Sequence, residues 1–223
     1  FGEAKIDKPQ YNVSICNGEE LFYQCNTRDT KLSVSLGNIK KSAQLNVIVE
    51  VGGHKNEWRI FVFAECENTA DVKYIRTQDE LKQICETGGK AIVTKDCFEN
   101  PIDGSFIPVF WSPVHFPSKK PCGAIIDNKH RIFNDFPTEK YPDYQWKRLL
   151  ENSVGADISK FDTDIKMIIE TVPNFFDNTK SSPLFETKIG NADLLFCGFD
   201  LDADYPEMKQ LKYSIENYFA NEM

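Results

Sequence analysis

A chain of 223 residues, 41% of them hydrophobic, has room for one large domain or a small module plus a medium one, and enough apolar side chains to pack a core. Its 34 acidic and 26 basic residues leave a net charge of −8, which repels phosphate backbones and argues against a nucleic-acid partner while leaving neutral sugars open. No apolar run approaches the ~18–20 residues of a membrane span. The start, Phe1-Gly2-Glu3-Ala4-Lys5, is not a signal peptide and lacks an initiator Met, so the chain reads as an excised or processed segment.

Residues 1–63 read as β, with strands expected over 11–16, 21–25, 31–36, 43–51 and 58–63. Asn17-Gly18 and Gly52-Gly53 supply turn chemistry between them. Leu45, Val47, Val49 and Val51 alternate with Asn46, Ile48 and Glu50, the period of a half-buried strand. Five short strands predict a small β-sandwich-like module, or the last part of a larger one. A Cys16–Cys25 bridge across the first hairpin is geometrically allowed. Seven cysteines without a C-x-x-C pair give no zinc ribbon and read mainly as buried thiols.

From residue 64 the pattern turns to α/β. A short strand over 72–75 precedes Thr77-Gln78-Asp79-Glu80, a capping box. Leu81, Ile84 and Cys85 form the apolar face of the helix that follows, and Gly88-Gly89 stops it. A strand over 90–94 completes a βαβ unit. Residues 95–142 carry seven prolines and form a long irregular loop. Asp143 caps a short helix over 144–152 with Trp146, Leu149 and Leu150 on one face. A strand over 166–172 and a hairpin around Gly190-Asn191 follow. Pro206 opens a last helix whose apolar face is Met208, Leu211, Ile215, Tyr218 and Phe219.

Catalytic signals are weak. A glycosidase needs two carboxylates facing one bond, and Asp200-Leu201-Asp202-Ala203-Asp204 reads as helix capping or solvated charge. The 160 residues after position 63 are too few for a (β/α)₈ barrel, which takes roughly 250. No G-x-S-x-G or G-x-C-x-G elbow occurs. Cys97 follows a strand, and His115 or His130 is a conceivable base. His54, His115 and His130 are spaced too widely to mark a metal site, and no cofactor is expected. Phe110, Trp111 and Trp146, with His115, Asp143 and Gln145 beside them, are candidates for a sugar platform. Aromatic faces stack on pyranose C–H faces and the polar groups bond hydroxyls; the competing role is packing.

Several segments in order carry a resemblance. They are Asn56-Glu57-Trp58-Arg59-Ile60-Phe61-Val62-Phe63, Phe106-Ile107-Pro108-Val109-Phe110-Trp111, Phe136-Pro137-Thr138 with Tyr144-Gln145-Trp146, and Leu184-Phe185-Glu186-Thr187-Lys188-Ile189-Gly190. Together they resemble the C-terminal, non-catalytic region of β-galactosidase-like proteins of glycoside hydrolase family 2. Phe61 stands where that pattern has Trp, and Asn191-Ala192 replaces a glycine-containing turn.

The resemblance implies a flavodoxin/glutamine amidotransferase-like α/β module over 64–223, without the amidotransferase triad, preceded by the β-sandwich-like module over 1–63. It implies an accessory role beside the remaining domains of a parent glycoside hydrolase whose catalytic glutamates lie elsewhere. Oligosaccharide is a further expected partner, and the setting periplasmic or exported. An independent carbohydrate-binding module, or a degenerate amidase using Cys97 or Cys122 with His115, are the alternatives.

Overall fold

A computed structural model describes residue 6 and residues 8–67, 70–105, 120–174 and 178–223. The chain divides into two compact units, Phe1–Glu65 and Cys66–Met223.

The first unit is one antiparallel sheet. Its strands are β1 (Tyr11–Asn17), β2 (Glu20–Thr27), β3 (Ala43–Val51) and β4 (His54–Val62), in the order β2-β1-β3-β4. Both hairpins close where the sequence put glycine. Gly52 and Gly53 have φ of 53° and 80°, the left-handed pair that a two-residue turn between twisted strands requires. Val13, Ile15 and Leu45 are buried on one face.

Three expectations for this unit need correction. Among the described residues there is a single sheet, not a sandwich. Residues 31–36 have strand alternation but join no ladder; the pattern reports which side chains are sheltered, not whether the backbone is paired. The cysteines are free. Cys25 stands opposite Val13 and Cys16 opposite Leu21, so they occupy different rungs of the ladder.

The second unit begins with β5 (Tyr74–Ile75), α1 (Gln78–Thr87) and β6 (Gly89–Thr94). The capping box forms as read: Thr77 Oγ1 accepts the Glu80 N–H at 3.3 Å and Glu80 Oε2 accepts the Thr77 N–H at 3.1 Å. Next come β7 (Ile102–Asp103), β8 (Gly123–Ile126), α2 (Lys147–Glu151), β9 (Val154–Asp157) and β10 (Ile165–Val172). The last elements are β11 (Ser181–Ser182), β12 (Leu184–Ile189), β13 (Ala192–Cys197) and α3 (Pro206–Asn221).

These strands build a six-stranded sheet, β5-β6-β13-β12-β10-β8, and a three-stranded sheet, β11-β9-β7. Only β5, β6 and β13 are parallel; the other pairings are antiparallel.

The flavodoxin/glutamine amidotransferase-like α/β fold is therefore overturned. That fold needs a mostly parallel sheet with crossover helices on both faces. Here the described residues are mostly β, with three sheets across the two units and few helices. One βαβ unit is present, but the tight Gly190-Asn191 turn returns β13 antiparallel to β12.

The core under this sheet centres on aromatic contacts. Phe185 and Phe196 stack at 4.7 Å, and Phe161 meets both edge-on at 5.3 and 5.4 Å. Gly198 follows β13 where β9 crosses closely: Val154 N–H donates to the Gly198 carbonyl at 2.9 Å, and a side chain at 198 would run into the Val154 carbonyl oxygen.

Candidate functional site

Of the six residues expected to form a sugar platform, Phe110, Trp111 and His115 lie outside the described residues. The other three sit at the entry to α2. Asp143 Oδ1 accepts the Tyr144 N–H at 2.8 Å and starts a 3-10 turn, Tyr144–Trp146, that runs into the helix. The turn aims Trp146 inward.

Trp146 is fully buried against Phe133, Phe136 and Phe199, with ring centroids 5.9, 5.1 and 5.9 Å away. Its Nε1–H donates to Thr138 Oγ1 at 2.8 Å, so the indole loses no hydrogen bond by going inside. Gln145 is buried beside it and donates to the Pro137 carbonyl at 3.2 Å. This takes Trp146 out of the platform. An indole with no exposed face cannot stack on a sugar, and Trp146 shares its inward direction with Leu149 and Leu150 at i+3 and i+4.

The two motifs of this region thus act on each other. Phe136-Pro137-Thr138 is held from one side by Gln145 and Trp146. Nearby, α3 supports the same stretch: Gln210 Nε2 donates to the Asp135 carbonyl at 2.7 Å, and Ser214 Oγ to the Ile132 carbonyl at 2.5 Å.

The exposed aromatics of this region were missed. Tyr144 is 80% and Tyr141 61% exposed, flanking Asp143. Lys140 Nζ lies 5.6 Å over the Tyr141 ring. No local period marked them: Tyr141 lies ahead of the 3-10 turn and Tyr144 opens it, so a helical offset from Trp146 does not reach them both.

His130, the conceivable base, belongs to a closed polar cluster. Lys166 Nζ stands 2.7 Å from His130 Nε2 and 3.0 Å from Glu186 Oε2. The Tyr218 hydroxyl donates to Glu186 Oε1, and its ring meets the imidazole edge-on at 4.9 Å. Burial first, then the Lys166 ammonium, pushes the His130 pKa down, while Glu186 pulls it the other way. Burial and the Glu186 carboxylate raise the Tyr218 phenol. Both ring nitrogens are engaged, Nδ1 accepting the Ile132 N–H at 3.3 Å and Nε2 facing Lys166, which ties the imidazole into the fold.

The remaining chemistry is similarly engaged. Ser105 Oγ donates to Asp103 Oδ1 at 2.6 Å and receives Lys120 Nζ at 2.6 Å. Lys120 also pairs with Asp103 at 3.1 Å, so its Nζ donates to both groups and the three side chains close on one another. Cys97 Sγ donates to the Ile75 carbonyl at 3.6 Å, and burial, aided by Asp96 and Glu80, pushes its thiol up to about 11. Cys197 is pushed by burial to about 12. Both are protonated at neutral pH, the wrong state for a nucleophile. Among the described residues no group of three His, Cys, Asp or Glu is placed to hold a metal.

Comparison with known families adds one match. A family model described as a domain of unknown function (DUF8487) covers residues 73–223, about two thirds of the chain. The chain belongs to the DUF8487 family. The DUF8487 region runs from just before β5 to the C-terminal residue of the sequence, so it holds the Trp146 fastening and the His130 cluster. The four-stranded sheet lies outside it. No curated protein matches the chain. Among the described residues no helix is long and apolar enough to cross a membrane.

Proposed function

We propose that this chain is a non-catalytic accessory region of a glycoside hydrolase of the β-galactosidase type, working beside the remaining domains of that enzyme. The observation that carries the reading is the state of the carboxylates. Glu186 is held by Lys166 and Tyr218, Glu207 by a two-pronged Arg148 at 2.8 and 3.1 Å, and Glu216 by the Tyr74 hydroxyl. Asp200, Asp202 and Asp204 pair with Lys95, Arg76 and Lys209. Each of these six acids has its own partner, whereas glycoside hydrolysis needs two facing one another across a bond. The order of the resembling segments supports the family assignment. The buried fastening at Trp146 gives one of those segments a structural reason to be there.

The test is turnover of chromogenic β-galactosides and related glycosides by the purified chain. No hydrolysis is expected; activity abolished by replacing one of these acids overturns the reading.

Carbohydrate contact is the second reading, favoured by the exposed Tyr141 and Tyr144 beside Asp143. A thermal-shift scan at millimolar galactosides, glucosides, mannosides and uronic acids checks it. A ligand at 100 times its Kd adds about 2.7 kcal/mol, and the shift should vanish in a Tyr141→Ala/Tyr144→Ala variant. A shift that survives that variant places the sugar elsewhere.

A further inference from the structure

In the first unit, residues 31–36 join no ladder, yet their apolar side chains share a groove with the apolar face of the four-stranded sheet. Leu32, Val34 and Leu36 help line a groove of about 510 Å³ that also includes Val13, Ile15 and Val47 from the sheet. Ser33 and Ser35 between them are exposed, the alternation of a half-buried strand. Among the described residues, the backbone of 31–35 makes no backbone hydrogen bond. The segment has the side-chain pattern and the seat of a strand in a second layer, but no ladder.

The outer strands of the sheet are guarded against strand addition and this segment is not. β4 carries Lys55, Glu57 and Arg59. β2 starts at Glu20 and meets a register shift against β1 between Ile15 and Cys16. Charges and irregularities of this kind discourage edge pairing. Residues 32–36 contain no charge and no proline.

The sequence Leu32-Ser33-Val34-Ser35-Leu36 reads the same in both directions. Antiparallel pairing with a second copy, centred on Val34, sets Leu32 opposite Leu36, Ser33 opposite Ser35, and Val34 on the two-fold axis. Lys31 then falls opposite Gly37, and the two Lys31 stand at opposite ends of the ribbon, about 20 Å apart at ~3.4 Å per residue. That is well beyond the ~8 Å screening length. Leu32, 42% exposed in the single chain, gains an apolar neighbour.

We propose that residues 31–36 are a dimerisation strand: two copies of this chain pair through it in an antiparallel ribbon that roofs both grooves. The contact is isologous, so it closes at two. It rests on the first unit alone and is independent of the accessory role.

Sedimentation of the full chain across a concentration series tests it. The expected species at high concentration has about twice the 25.6 kDa of one chain. Two solvent-face variants read the register without touching the groove. Ser33→Lys/Ser35→Lys puts like charges opposite each other at both symmetric positions and should weaken the dimer roughly tenfold. Ser33→Lys/Ser35→Glu puts Lys opposite Glu and should dimerise at least as tightly as the parent. Circular dichroism establishes that both variants fold. A chain that stays monomeric throughout overturns the proposal, as does a dimer that both variants weaken alike or both leave unchanged.

Discussion

At the scale of single residues, two side chains inside the second unit decide more than their neighbours. Trp146 fills the space between Phe133, Phe136 and Phe199 and also spends its N–H on Thr138. Trp146→Ala leaves a cavity and an unpartnered hydroxyl, and should cost about 3–5 kcal/mol in chemical denaturation. Trp146→Phe keeps an aromatic ring and loses the hydrogen bond, so its cost should be clearly smaller. Equal losses for the two would mean that the bond, not the volume, holds this region.

Glu216 is the second. It is buried on α3, takes the Tyr74 hydroxyl, and burial pushes its carboxyl from 4.5 up to about 7. The folded state therefore holds its proton more tightly than the unfolded chain does. Its contribution to stability is full below about pH 4.5, is lost as pH rises towards 7, and stays lost above that. At roughly 1.4 kcal/mol per tenfold change in proton affinity, the loss is about 3 kcal/mol at most. Glu216→Gln keeps an acceptor for Tyr74 and cannot ionise. It should stabilise the protein at about pH 8 and do little at about pH 4.5, as read by urea midpoints. A difference from the parent that is constant with pH would remove this assignment.

At the scale of elements, local signals were legible and long-range pairings were not. Helix α1 forms where Thr77, Glu80 and Gly88 put it, because a cap is made by residues three or four apart. β12, β13 and α3 follow their turn and their periodicity in the same way. The short strands β7, β8, β9 and β11 have two to four residues each, too few to show a period. One βαβ unit suggested a parallel sheet. The direction of β10 is instead fixed by ladders to β12 and β8, partners distant in sequence that no local pattern names. At the candidate site, the i+3 and i+4 spacing of Leu149 and Leu150 already marked the inward face of Trp146. The exposure of Tyr141 and Tyr144 depended on how a proline-rich loop enters α2.

The same scale sets the behaviour of the polar cluster, since His130, Lys166 and Glu186, and Tyr218 come from a turn, two strands and α3. His130 is held below its ordinary 6.5, so its contribution is present above that pH and is lost as pH falls. Lys166→Met removes the ammonium that opposes imidazole protonation. The His130 pKa should rise, measured by NMR titration of the imidazole protons, and the acid-side loss of stability should shrink. A pKa that falls or stays put would show that Lys166 is a bystander.

For the whole molecule, the two units differ in how much core they close. Unit Phe1–Glu65 buries Val13, Ile15 and Leu45 under one sheet face, while Cys66–Met223 buries an aromatic and aliphatic interior beneath a six-stranded sheet. Domains of about 60 residues bury a smaller share of their surface than domains of about 150 and are marginal for that reason. A chain built this way should unfold in two calorimetric steps, with the first unit melting first. Leu45→Ala should lower the first step, by about 2–5 kcal/mol of local stability, and leave the second in place. Leu194→Ala, at a fully buried position of β13, should do the reverse. If residues 31–36 pair two chains, the first step should also climb with protein concentration while the second does not, because only a state favoured by association responds to mass action. A single transition moved equally by both substitutions would mean that the two cores melt as one, and the distinction between a marginal sheet and a self-sufficient second unit would have to be abandoned.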